Sequence, residues 1–216
     1  MSRRALTTLA TLFLLLLGSS IPARADTIFI QENFDAQPPG LYNAPSAVAQ
    51  FNITSGSIDV INHGDFGLPC AGGAGRCVDL DGVSADVTIL ESFQEFDPGT
   101  YRVQFDLAGS QRGDTNTLVV SLADTSYTIT LPSDAPFATY SLLFTIPETF
   151  FVQSLRFTHG PSGDSFGLLL DNVVVSIVDT AAVPEPATLL LLGTGLAGIG
   201  AAARRRRKAV GVEKVI

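Results

Sequence analysis

Through the middle of the chain apolar and polar residues alternate one for one, the spacing of a strand with one buried face. YRVQFDL sets Tyr101, Val103, Phe105 and Leu107 on one side. TLVVSL does so with Leu118, Val120 and Leu122, SYTITL with Tyr127, Ile129 and Leu131, YSLLFTI with Leu142, Phe144 and Ile146, and SLRFTH with Leu155 and Phe157. TIFIQENF, FNIT, SIDVI and VTILESF are shorter candidates ahead of them. Turn-forming clusters lie between: QPPG, TSGS, FDPGT, AGSQRGDTN, ADTS, LPSDAP and HGPSGDS. Roughly nine or ten short strands at this spacing predict an all-β domain, an antiparallel two-sheet sandwich. The last segment, FGLLLDNVVVSIV, is apolar on both faces except at Asp171 and Asn172, which places it centrally in a sheet. A carboxylate in such a strand needs compensation. Backbone N–H groups, Arg156 and a metal ion are the candidates.

At both ends the alternation gives way to unbroken apolar runs. Arg3 and Arg4 precede LTTLATLFLLLLG, and Ala23, Arg24 and Ala25 form a small-x-small cleavage site. These are the parts of a secretory signal peptide over 1–25, a substrate for signal peptidase that leaves Asp26 as the mature start. At the other end no residue of 187–203 is charged, and Arg204, Arg205, Arg206, Arg207 and Lys208 follow directly. That run is at the lower limit for a helix crossing a bilayer, and the cationic block orients it with the arginines on the cytoplasmic side. Gly193, Gly195, Gly198 and Gly200 suit a membrane helix better than a soluble one.

Ahead of this helix stand Val183, Pro184, Glu185 and Pro186. The order Pro-Glu-Pro, apolar helix, arginine cluster resembles the PEP-CTERM sorting tail of Gram-negative bacteria. The resemblance covers 183–209. It implies an inner-membrane precursor, cleavage near Pro-Glu-Pro by a membrane protease of the exosortase type, and delivery to the cell surface or the extracellular polysaccharide matrix.

Between the two ends lies a body of 26–182. Its basic residues are Arg76, Arg102, Arg112 and Arg156, against nineteen acids from Asp26 to Asp179, a net charge near −15. Such a surface repels nucleic acid and anionic lipid and suits cations, neutral glycans or solubility. Cys70 and Cys77 flank AGGAGR. In an oxidising compartment this spacing permits a small disulfide loop. Free thiols are the alternative, and a zinc site lacks two further soft ligands.

ENF near the mature start and LLLDNVVV at the end resemble the bookends of galactose-binding-like jelly rolls, the fold of many carbohydrate-binding modules and of the DUF642-type domains of cell walls. In many of these an acid near the first strand and the aspartate of the last hold a structural calcium ion. Carried onto this chain, the resemblance implies Glu32, Asp35 and Asp171 as ligands, and calcium takes such oxygen donors.

The catalytic apparatus is thin. His63 with Asp65, and His159 with Asp164, are histidine–acid pairs in glycine-rich turns, where a solvated loop is the simpler reading. Glu91, Glu95 and Asp97 show no tight same-face carboxylate motif. Asp79 and Asp81 share a strand face two residues apart, which exposure or calcium explains better than acid–base chemistry. AGGAGR lacks the lysine and hydroxyl of a phosphate loop, and the RGD at Arg112 sits in a turn. For an aromatic sugar platform the chain offers little: it has no Trp, Tyr101 and Tyr127 fall at core positions, Tyr42 lies in a loop and is the freest, and Tyr140 fits either place. A non-catalytic binding or structural protein, glycan-associated, is the expected function. A secreted glycan-active hydrolase is the alternative, to be recognised by opposed carboxylates in a groove.

Overall fold

The computed structural model describes residues 27–84, 86–149, 153–161 and 165–178, with 193, 195–197 and 200. The chain divides into two compact units, Asp26–Asp179 and a second made of Met1–Ala25 with Thr180–Ile216. The signal peptide and nearly all of the sorting tail fall outside the described residues. Of the expected helix, residues 193, 195–197 and 200 are helical. Among the described residues no helix is long and apolar enough to cross a membrane.

The unit Asp26–Asp179 is a sandwich of two antiparallel sheets. Its strands are β1 Ile28–Glu32, β2 Gly40–Asn43, β3 Ser46–Val48, β4 Phe51–Ser55, β5 Ser57–Asn62, β6 Arg76–Asp79, β7 Thr88–Phe96, β8 Gly99–Ala108, β9 Thr115–Leu122, β10 Thr125–Pro132, β11 Ala138–Ile146, β12 Gln153–His159 and β13 Leu169–Ile177. The seven-stranded sheet runs β11-β8-β13-β6-β5-β2, with β1 on the second half of β13; the six-stranded sheet runs β10-β9-β12-β7-β4-β3. The terminal strand β13 is central, as its two-faced apolarity predicts, and has β8 on one side with β6 and then β1 on the other.

The alternating residues meet between the sheets. Tyr101, Val103, Phe105 and Leu107 face Leu118, Val120, Leu122, Leu155 and Phe157 in one buried core. Phe157 sits edge-on to both Phe51 and Phe105, which links three strands by ring contacts beyond area burial alone. SYTITL departs from expectation. It forms β10, an edge strand, so Ile129 and Leu131 are only half-buried and Tyr127 is exposed. Alternation reports which face of a strand turns inward, not how much of the partner sheet lies over it.

A smaller apolar cluster lies on the outer face of the seven-stranded sheet: Ile61, Leu68, Cys70, Cys77, Ala108 and Leu169, with Phe137 against it. The segment between β5 and β6 folds back over that face, and Cys70 and Cys77 are joined in a disulfide that pins it to β6.

Candidate functional site

Alternation along β6 and β13 sends Val78 and Leu170 into the core and Asp79, Leu169 and Asp171 to the outer face of the seven-stranded sheet. Two rows of side chains cross that face. In the first, Asp59 of β5 lies opposite Asp79 of β6, which lies opposite Leu169 of β13. In the second, Asp171 of β13 lies opposite Asp106 of β8, which lies opposite Thr139 of β11. Carboxylates so placed repel one another, and each is answered locally.

Asp79 is 1% exposed. Its Oδ1 accepts from the Asp81 N–H at 3.1 Å and the Gly167 N–H at 2.9 Å, and its Oδ2 pairs with the Arg112 guanidinium at 3.2 Å. Gly167 is required by this approach: a Cβ there would collide with the Asp81 nitrogen and the Asp79 carboxylate. Arg112 also donates to the Ser165 carbonyl at 2.7 Å and stacks 5.0 Å from the Phe166 ring. Burial pushes the Asp79 carboxyl up to about 7, against the opposing pull of the two N–H groups and Arg112. Burial raises Asp59 as well.

The expectation that Asp79 and Asp81 are solvated on one strand face is overturned. β6 ends at Asp79, the chain turns under the Asp79–Asp81 hydrogen bond, and both side chains are buried. The turn residue signal was present in DLDG, but the covering loops 110–114 and 165–168 come from far along the chain.

Asp171 is 3% exposed. Its oxygens accept from the Asn172 N–H at 2.7 Å and the Ala71 N–H at 3.2 Å, so backbone supplies the compensation. Arg156 does not: it pairs with Glu91 at 3.1 Å on the other sheet. Burial is the largest cause raising the Asp171 carboxyl, to about 7, with Asp35 and Asp106 adding to it against those two N–H bonds. Asn172, at φ 50°, is the bulge that shifts β13 against β8, and it donates to Asp106 at 2.8 Å.

For the calcium set, β1 lies beside β13 with Glu32 opposite Val173. Asp35 and Asp171 repel one another and offer the oxygen donors calcium takes, but both oxygens of each already accept a hydrogen bond. Glu32 is engaged in the same way: Oε1 accepts from the Phe34 N–H at 2.7 Å and Oε2 faces the Gln50 amide at 3.4 Å. Asp35 accepts from the Arg76 N–H at 2.7 Å and from Asn33 at 2.8 Å. Among the described residues no group of three or more His, Cys, Asp or Glu is arranged to hold a metal.

The two histidines are engaged by backbone N–H groups. His63 Nδ1 accepts from the Cys70 N–H at 3.0 Å, while Asp65 accepts from Asn62, so the two do not form a catalytic pair. His159 is buried, with Nε2 facing the Leu168 N–H at 3.4 Å; its companion Asp164 falls outside the described residues. On the other sheet an open pocket of about 120 Å³ is lined by Ser121, Ala123, Gln153, Ser154 and Arg156, below the ordinary range for a small-molecule site. Phe66 and Phe93 escaped the sequence reading. The fourteen phenylalanines suit a core, yet these two are exposed.

Residues 182–207 match the PEP-CTERM protein-sorting motif. The resemblance read from Pro184, Glu185, Pro186 and the arginines is thereby borne out, and the motif implies export and processing by exosortase, a membrane protein. Among curated proteins none matches the chain. The chain is similar to several solved structures. An arabinose-bound α-L-arabinofuranosidase is 12% identical at a TM-score of 0.50, over 69% of this chain and 26% of its own. This chain therefore spans about a quarter of that enzyme's length. A cyclase from Fischerella sp. is 14% identical at a TM-score of 0.49, over 73% and 100%. The C-terminal family 22 carbohydrate-binding module of Xyn10B from Clostridium thermocellum is 11% identical at 0.48, over 74% and 99%. The two-sheet antiparallel sandwich expected from the alternation, a jelly roll by the resemblance, is the fold observed.

Proposed function

We propose that this protein is exported through a signal peptide, held briefly in the inner membrane of a Gram-negative bacterium by its tail, and released by an exosortase-type protease to the cell surface or its polysaccharide matrix. There it acts as a non-catalytic binding or structural protein whose ligand is a neutral glycan. The observation that carries the reading is the PEP-CTERM motif at 182–207 on a chain whose body is a jelly-roll sandwich. A body near −15 favours a neutral partner over nucleic acid or anionic lipid. A structural calcium ion at Asp35 and Asp171, with Glu32, belongs to the same proposal. It is supported by the pairing of β1 with β13 and by the repulsion among Asp35, Asp106 and Asp171.

A glycan-active hydrolase has one observation in its favour, Asp59 facing Asp79 with Asp79 protonating near neutrality. Against it, both Asp79 oxygens are engaged and the side chain is closed off by Arg112 and Gly167, leaving no path to a glycosidic oxygen. Binding of the exported protein to a glycan array, with turnover followed in parallel, tests both readings. Retention without release of reducing sugar is expected. Retention on no glycan would overturn the binding reading, and hydrolysis abolished by Asp79→Asn would establish the enzyme.

A further inference from the structure

Phe66 stands in the turn Asp65–Gly67 between β5 and β6 and is 84% exposed, the most exposed large apolar residue among the described residues. Its backbone is left-handed, at φ 55° and ψ 15°, a conformation that disfavours any residue with a Cβ. Gly64 and Gly67 on either side take positive φ without penalty. A third glycine would suit the fold better than a phenylalanine: it would relieve the backbone and remove an apolar ring from water. Strain and exposed apolar area coincide at one residue. An outlier of this kind points to a role outside the fold.

The turn is braced. Asp65 Oδ2 accepts from the Asn62 N–H at 3.0 Å and its side-chain amide at 2.9 Å. Gly64 donates to the Leu68 carbonyl at 2.8 Å, and Leu68 to that of Asp65 at 2.9 Å. His63 donates its N–H to Gly75 at 2.9 Å and accepts from the Cys70 N–H, and Cys70 is tied to Cys77 of β6. The ring is thus presented on a fixed support, so a ligand meeting it has little loop ordering left to oppose binding.

We propose that Phe66 is the stacking platform for one neutral sugar ring, which deepens the carbohydrate-binding reading above and rests on it. A sugar ring offers a C–H face that one aromatic ring can cover and a rim of hydroxyls. The loop supplies polar partners for that rim. His63 is exposed, and with Nδ1 accepting from Cys70 its Nε2 carries a proton it can donate; Asp65 brings a carboxylate. A protein partner would call for a contiguous apolar patch, whereas Phe66 is flanked by Gly64, Asp65 and Gly67. An anionic bilayer would be repelled by Asp65 and by the charge of the whole body.

The chain contains no Trp, so Phe66→Trp in the full chain places its only indole at the site. The probes are xylan, arabinan, galactan and cellulose. Wild type is expected to bind at least one of them, Phe66→Gly to bind that polysaccharide at least tenfold more weakly while melting no lower than wild type, and Phe93→Ala to bind as wild type. Phe66→Trp should retain binding, with an emission shift on adding the bound polysaccharide. If Phe66→Gly binds as wild type does, the platform is overturned and the glycan reading stands. If wild type binds none of the four, both fall together.

Discussion

Arg112, in the loop after β8, reaches the carboxylate of Asp79 at the end of β6 and closes on it at 3.2 Å. The pair joins the loop 110–114 to β6. Arg112 ties in the segment ahead of β13 as well, through Ser165 and Phe166. Removing one partner of a buried pair leaves the other uncompensated, at a cost of about 3–5 kcal/mol. Arg112→Gln is therefore expected to destabilise strongly at pH 8, where Asp79 is ionised. At pH 5 the loss should be smaller, because a protonated Asp79 needs no cation. Urea denaturation at the two pH values measures this, and an equal loss at both would show that Arg112 acts through packing alone.

Asp171 makes a wider pH dependence. Its carboxyl and that of Asp79 are raised by burial from 3.8 to about 7. A raised carboxyl binds its proton more tightly folded than unfolded. Its contribution to stability is therefore largest below the unfolded value and is lost as pH climbs from about 4 through about 7. The melting temperature should be higher at pH 5 than at pH 8, and Asp171→Asn should narrow that gap. Calcium should raise the melting temperature at pH 8 relative to chelator, because an ion beside Asp35 and Asp171 relieves the same repulsion. Superimposable curves in calcium and chelator would remove the ion from the proposal.

The disulfide closes a short ring between Cys70 and Cys77. In the chain-entropy view such a ring contributes about 2–3 kcal/mol. Reduction should lower the melting temperature by roughly 5–10 °C for a domain of this size. It should also loosen the braced turn that carries Phe66. Peptide mapping without reductant should recover the two cysteines joined, and full alkylation of the native exported protein would contradict the pairing.

The tail is expected to be absent from released protein. Mass spectrometry should place the new C-terminus near Val183, Pro184, Glu185 or Pro186. Replacing Arg204, Arg205, Arg206 and Arg207 with neutral residues should disturb orientation and retain precursor in the cell. Recovery of the arginine cluster on surface material would overturn processing.

The sorting tail was legible in the linear order of Pro184, Glu185, Pro186, an apolar run and arginines, because a motif that a protease and a bilayer read as a chain needs no tertiary contact. The sandwich was legible for a related reason. Residues such as Val103, Phe105 and Leu107 declare their faces through a period of two, a local property of the backbone. The fates of several charged residues and of the exposed phenylalanines were not legible. Asp79 is buried because Arg112 and Gly167 come over it from distant loops, and Asp171 is satisfied by the N–H of Ala71, a hundred residues away in sequence. Phe66 and Phe157 are the same residue type, yet one lies in the core and the other in solvent. Residue type sets what a side chain can do, and long-range closure of the sheets and loops decides what stands opposite it.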